Sequence, residues 1–120
     1  MTLRQKQSTF LLNVAKLIQW AFAQGYELTA GELHRTQEQH DLNRKLGKTK
    51  ALRSLHQDRL AIDLMLFENG QYITDTAQYQ PMGKYWVSLH PANRWGGDWD
   101  KDGDCHDEKF SDGNHFEMVP

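Results

Sequence analysis

Between Phe10 and Phe22 the apolar residues Phe10, Leu11, Val14, Leu17, Ile18, Ala21 and Phe22 recur at helical spacing, which predicts a helix with its apolar stripe in the core. Ser8 or Thr9 is available as its N-cap and Gly25 as its stop. Tyr26, Leu28 and Ala30 then alternate with polar or small neighbours, the pattern of a short strand. Thr36 followed by Gln39 reads as a capping box that opens a second helix ending near Gly47. Arg35 therefore stands at a strand-to-helix junction, a good place from which to aim a side chain. The run AIDLMLF, residues 61–67, predicts a buried strand, and the Asn-Gly pair after it predicts a tight turn into a second strand around Gln71 to Thr74. Pro81 can open a third helix with Met82, Tyr85, Trp86 and Leu89 on one face, and Pro91 closes it. A Gly- and Asp-rich loop follows, and His115 to Val119 alternates as a final strand.

Helices segregated from hairpin-connected strands imply an α+β fold with a small antiparallel sheet flanked by helices. At 120 residues, positions 1–120 fit a single domain with one core. A composition of 38% hydrophobic and 25% charged residues, with four Trp, is that of a globular protein rather than a disordered one. The formal charge of −2 gives no global basic field and argues against nucleic acid as a partner. Charge is nevertheless uneven. Arg44, Lys45, Lys48, Lys50, Arg53 and Arg59 make a basic middle, read as a solvated helix end and loop. Asp98, Asp100, Asp102, Asp104, Asp107 and Glu108 make an acidic block.

The single cysteine, Cys105, excludes an internal disulfide and a cysteine-built zinc cage. The segment FLLNVAKLIQWAFA is too short, and too interrupted by Asn13, Lys16 and Gln19, to span a bilayer, which needs about 20 apolar residues. It lacks a small-residue cleavage site behind a basic leader, so synthesis in the cytoplasm without a cleavable signal peptide is expected.

Chemistry enters with Asp63, a carboxylate inside an apolar run, where an unpaired charge costs several kcal/mol or forces protonation. A metal, an arginine or backbone donors could be its partner. His56, Asp63 and His115 are candidate ligands of the kind zinc takes in hydrolases, three protein donors with a fourth position left for water. Asp112, three residues before His115, suits a proton-transferring carboxylate near such a metal. Spacing alone favours a plainer reading, a surface His56 and a structural His115, because six His and sixteen acids generate many His/Asp pairs.

The acidic block offers a second cluster. Asp98, Asp100, Asp102, Gly103 and Asp104 spell the first half of a calcium-loop pattern, in which alternating carboxylates converge on one hard cation. The full loop wants Glu at its twelfth position; that residue is Lys109, and Glu108 arrives one early. Calcium at Asp98, Asp100, Asp102, Asp104 and Glu108 is expected, with a polar surface loop as the alternative. His106 and Asp107 could join it or support the zinc ligands.

Four segments, in order, carry a resemblance that changes this weighting. Ser54 to Asp63 resembles the motif S-x-H-x-x-G-x-A-x-D of the LAS (VanY-type) peptidoglycan metallopeptidases, which include D,D-carboxypeptidases and phage L-alanyl-D-glutamate endopeptidases. Ser54, His56, Ala61 and Asp63 match. HRTQEQ resembles the Y-R-T-x-x-x-Q segment, aligning Arg35, Thr36 and either Gln39 or His40. RWGGDW and DGNHFEM resemble the closing W-G-G-D-W and D-x-x-H-F-E motifs. The likeness runs from about Gly25 to the C-terminus.

The resemblance implies a D-Ala-D-Ala carboxypeptidase-like fold, zinc on His56, Asp63 and His115, Asp112 as general base and then acid, and Arg35 on the scissile carbonyl. Ser54 would help bind substrate. The implied reaction is direct amide hydrolysis without an acyl-enzyme, in keeping with the absence of a Ser or Cys nucleophile motif. The motif Gly is Arg59 here, and His34 stands where an aromatic residue is usual; both could reshape the substrate groove without removing a ligand. A short chain of this kind looks like the family's phage lysis enzymes. It would cut L-Ala-D-Glu bonds in peptidoglycan stem peptides, act as a monomer in the periplasm or cell wall, and reach it through a holin or another export system. The alternatives are D,D-carboxypeptidase action on D-Ala-D-Ala termini and a non-catalytic metal-binding interaction domain.

Overall fold

A computed structural model of the chain describes residues 1–48, 54–103 and 112–120. Lys50 and Arg53 of the basic middle, and Asp104, Cys105, His106, Asp107 and Glu108 of the acidic block, lie outside the described residues.

The first helix, α1, runs Leu3–Ala23. Its cap is Thr2, not Ser8 or Thr9: the Thr2 hydroxyl accepts the Gln5 amide and the Gln5 side chain returns to the Thr2 amide. The reason is that Arg4 to Gln7 are good helix formers, so the helix begins before its apolar stripe does. Gly25 ends it as expected. Its φ of 88° lets Tyr26 N bond Ala21 O and Gly25 N bond Phe22 O, the paired closure of a left-handed C-terminal turn.

Strand β1, Glu27–Ala30, leads to helix α2, Gln37–Lys45. Half of the expected capping box forms at its start. Thr36 accepts the Gln39 amide, but the Gln39 side chain donates to Asn43 instead of returning. Strand β2, Ala61–Glu68, turns at Asn69 and Gly70, both with positive φ, into β3, Gln71–Tyr72. That strand is shorter than the expected Gln71–Thr74 because Asp75 caps a 3-10 turn at Thr76–Tyr79 directly behind it. Helix α3, Gln80–Leu89, has its proline in the first turn. Strand β4, Asn93–Trp95, follows where a loop was expected, and β5 is His115–Met118.

All pairings are antiparallel, in the order β1-β2-β5-β4 with β3 also on β2. The α+β architecture read from the sequence is therefore the one observed. Alternation divides the sheet into two faces. Ile62, Leu64 and Leu66 of β2, Phe116 and Met118 of β5 and Trp95 of β4 join one buried cluster with Phe10, Val14 and Leu17 of α1 and Met82 and Trp86 of α3. The Trp86 indole N–H donates to the Arg94 and Glu117 carbonyls, so even its polar atom is satisfied in the core. The opposite face carries Asp63, His115, Glu117 and Arg94. Asp63 is half-buried, and its apolar neighbours Ile62 and Leu64 face the other way. Among the described residues no helix is long and apolar enough to cross a membrane.

Candidate metal centre

The site begins with register. Asp63 of β2 stands directly opposite His115 of β5, and Arg94 of β4 directly opposite Glu117. His56 comes from the 3-10 turn Leu55–Asp58, capped by Ser54, whose hydroxyl accepts the His56 amide while the Ser54 amide bonds the Gln57 side chain. The turn closes at Arg59 in the left-handed region, φ 55°. This explains the glycine of the motif: the position needs positive φ, which glycine adopts without strain and arginine does not.

Three donors converge here. His56 Nε2 lies 3.4 Å and His115 Nδ1 3.5 Å from Asp63 Oδ1. Ligand atoms of all three side chains fall within 4.8 Å of one another. His56 is held from behind, its Nδ1 3.1 Å from the Leu33 carbonyl, which leaves Nε2 for the centre. Asp63 Oδ1 is buried and has no hydrogen-bond partner among the described residues. Such an oxygen is costly unless something else satisfies it. The spacing says what: tetrahedral ligands about 2.1 Å from one ion stand about 3.4 Å apart. Two imidazole nitrogens and a carboxylate whose Oδ1 lacks a hydrogen bond thus fit a divalent metal of the zinc kind.

Electrostatics agree with the geometry. Burial works against the Asp63 charge, but the His115 and His56 imidazoles outweigh it and hold the carboxyl at about 2. Burial would likewise depress His115, yet the carboxylates of Asp63, Glu117 and Asp112 push it up to about 9. Negative charge surrounds the ligands, and a cation would compete with that proton. Asp112 differs. Burial raises its pKa above the ordinary carboxyl value, and Asp63 adds to this, against the lowering influence of His115, His56 and Arg35. Its Oδ2 is 3.9 Å from His115 Nδ1, beside the ligands and open to solvent on one side.

Asp112 is positioned by backbone. Its amide donates to the Gly96 carbonyl, its carbonyl accepts the His115 amide, and Gly96 N donates to His115 O. A side chain at Gly96 would strike the Asp112 carbonyl, so the Asp112 turn can close only over a glycine. The neighbouring Trp95 indole packs against Gly97 and Gly83 and donates to the Gly113 carbonyl at 2.6 Å. The W-G-G-D-W segment is thus the clamp on the turn that carries Asp112.

Arg35 also lies near the centre. Its guanidinium is held by Glu32, with Nε and Nη2 at 2.7 and 2.6 Å from one carboxylate oxygen, and by His40, Nδ1 3.1 Å from Nη1. The same Glu32 oxygen is 3.6 Å from His56 Nδ1, joining Arg35 to the metal-ligand side. The sequence alone assigns no role to Glu32, Arg94 or Glu117, and offers His40 only as the alternative to Gln39 in the Y-R-T-x-x-x-Q segment. The usable signal was parity in β5, since His115 and Glu117 two residues apart share a face.

The calcium cluster is only partly described. Asp98, Asp100 and Asp102 bring ligand atoms within 4.8 Å of one another on the surface. The loop also satisfies itself: Asp98 accepts the Asp102 and Gly103 amides, and Asp100 accepts the Asp102 amide.

Fold and sequence together place the chain in a class of peptidases. The chain belongs to the family described as phage L-alanyl-D-glutamate peptidase, whose model matches residues 12–119. Among solved structures it is similar to the Serratia marcescens L-Ala D-Glu endopeptidase ChiX, with a TM-score of 0.60 and 20% identity. The similarity covers 77% of this chain and 66% of that one, so the chain spans just under two thirds of that structure. At this identity the likeness concerns the fold. No curated protein matches the chain.

Proposed function

We propose that the protein hydrolyses the L-Ala-D-Glu amide of peptidoglycan stem peptides, with one zinc ion held by His56 Nε2, the Asp63 carboxylate and His115 Nδ1. The observation that carries this reading is the buried Asp63 Oδ1, without a hydrogen bond, between two imidazole nitrogens at 3.4 and 3.5 Å, with Asp112 beside them. A zinc ion held by these three residues would supply Lewis acidity, which makes water a good nucleophile near neutral pH. Asp112, its pKa raised by burial, takes a proton from the attacking water and returns it to the departing amine. Arg35, whose orientation is fixed by Glu32 and His40, donates N–H to the carbonyl oxygen as charge develops on it. Ser54 caps the turn bearing His56, so any contact with substrate would come through a residue that already has a structural role.

Family membership supports the L-Ala-D-Glu bond over a D-Ala-D-Ala terminus. Asp112 beside His115, with Arg35 near enough to lower its pKa, supports an enzyme over a non-catalytic metal-binding domain. Action on the wall from a cytoplasmic origin would require passage through a holin or another export system. For the acidic loop, the clustering of Asp98, Asp100 and Asp102 supports a second, weaker site for calcium.

Mass spectrometry of digested peptidoglycan tests the reading. New N-terminal D-Glu is expected; released D-Ala would assign the carboxypeptidase reaction instead, and no product from zinc-loaded protein would refute an enzyme. Asp112→Ala is expected to keep the metal and lose about 100-fold or more in turnover.

A further inference from the structure

His115 offers its two ring nitrogens to different partners. Nδ1 faces Asp63 and Asp112, whereas Nε2 is 2.7 Å from Glu117 Oε1. Glu117 is buried at 5% exposure, and its other oxygen, Oε2, accepts Arg94 Nε at 2.8 Å and Nη2 at 2.6 Å. The Arg94 guanidinium in turn lies 5.2 Å over the Trp99 ring, which packs 5.5 Å from the His115 ring. The four side chains form a closed ring around the back of the imidazole.

An ionised carboxylate only accepts hydrogen bonds, so the nitrogen facing Glu117 must carry the hydrogen, and in a neutral imidazole the lone pair then falls on Nδ1. Nδ1 is the atom turned toward Asp63. We propose that Glu117 is a positioning residue that locks His115 in the Nε2–H tautomer, the form in which Nδ1 can ligate a metal, and that Arg94 and Trp99 hold Glu117 in place for it. The inference rests on the metal-centre reading above and extends it beyond the ligands.

A purely structural role for Glu117 would be to tie β4 to β5 through Arg94. The backbone ladder already does that, and Arg94 engages only Oε2, which leaves Oε1 turned to the imidazole. The arrangement also gives work to the last tryptophan of W-G-G-D-W, which the hydrolytic reading left unused. A burial this deep favours a carboxylate that is fully bonded on both oxygens, and Glu117 has that.

The test uses the full chain with Glu117→Ala and the near-isosteric Glu117→Gln. Zinc affinity is measured by competition with a chromophoric chelator, and the His115 ring N–H is followed by nitrogen-15 NMR of the zinc-loaded protein. Loss of an outer partner of a metal-bound histidine typically lowers affinity by about 10- to 100-fold, and that is expected for Glu117→Ala, together with loss of the slowly exchanging Nε2–H signal. Glu117→Gln keeps an acceptor but loses the charge, and is expected to fall several-fold, between wild type and Ala. It decides the matter if the alanine variant fails to fold. Wild-type zinc affinity in Glu117→Gln, or an unchanged ring N–H in a folded Glu117→Ala, overturns the proposal. Asp63→Ala separates the two failures: if it also leaves zinc affinity unchanged, the metal-centre reading itself is what falls.

Discussion

Two clusters in this molecule each bring three side chains within 4.8 Å, yet they treat their charge in opposite ways. His56, Asp63 and His115 sit on paired strands and a capped turn, largely out of water, and leave Asp63 Oδ1 without a hydrogen bond. Asp98, Asp100 and Asp102 lie on the surface, where water reaches them and the loop's own amides answer Asp98 and Asp100. The lesson is that a dense run of acids is a poor guide to a strong ion site. What marks one is a buried carboxylate oxygen that the fold leaves without a hydrogen bond among other ligand atoms, and that is visible only once partners are known.

The largest expected effect separates the clusters directly. Chelating the metal from zinc-loaded protein, or replacing Asp63 by Ala, should abolish peptidoglycan cleavage and lower the melting temperature by about 10 °C or more, since tight binding adds roughly 3 to 4 kcal/mol at saturating metal. Millimolar calcium added to the zinc protein should shift melting by a few degrees at most, and Asp100→Ala plus Asp102→Ala should remove that shift. Equal shifts from the two ions in calorimetry would break the contrast.

A second effect is pH dependence of the metal-free protein. His115 is raised from 6.5 to about 9 in the fold, so its contribution to stability is full below about 6.5 and is lost as pH rises through about 9. Asp63 is lowered from 3.8 to about 2, so its contribution is present above 3.8 and is lost as pH falls toward 2. Melting of the chelated protein should therefore decline on the alkaline side, by a few kcal/mol at most. With zinc the alkaline decline should be smaller or reversed, because metal and proton compete for the same nitrogen. Parallel curves with and without zinc would show that His115 is not a ligand.

The smallest effect concerns the turn that delivers His56. Arg59→Gly should stabilise the protein by up to about 1 kcal/mol by relieving the left-handed conformation, with zinc affinity unchanged. Denaturant unfolding would measure it; a loss of stability would mean that the arginine side chain contributes more than the strain removes.

Much of this was legible beforehand because it depends on local pattern. The Asn-Gly hairpin and the proline-led α3 follow from rules that act within a few residues, and so does most of the α1 stripe; Leu11 and Phe22, expected in the core, are exposed because they lie at the stripe's edge, away from the buried line Phe10, Val14, Leu17 and Ala21. Asp63 stood out because a charge in an apolar run is anomalous, and the motif resemblance linked it to His56 and His115. The missing parts depend on contacts across the chain. Strand β4 is only three residues long and exists because β5 pairs with it. Arg94 acquires meaning only from lying opposite Glu117, whereas Glu32 and His40 are three and five residues from Arg35 and went unassigned because the bend between β1 and α2 that turns them toward it has no periodic pattern. The Thr2 cap was missed for a different reason: helix propensity continues past the point where the apolar stripe ends.

Strand β5 carries a consequence for how such a sequence can change over generations. His115 and Glu117 lie on the face that carries Asp63 while Phe116 and Met118 fill the core, and all four alternate within one strand. Inserting or deleting one residue between Asp112 and Met118 would exchange the two sets, placing an imidazole and a carboxylate in the core and a phenyl ring at the centre. The strand can therefore drift by substitution but not in length, and the same holds for β2, whose Asp63 alternates with Ile62 and Leu64; descendants of this chain should vary in size outside these two strands.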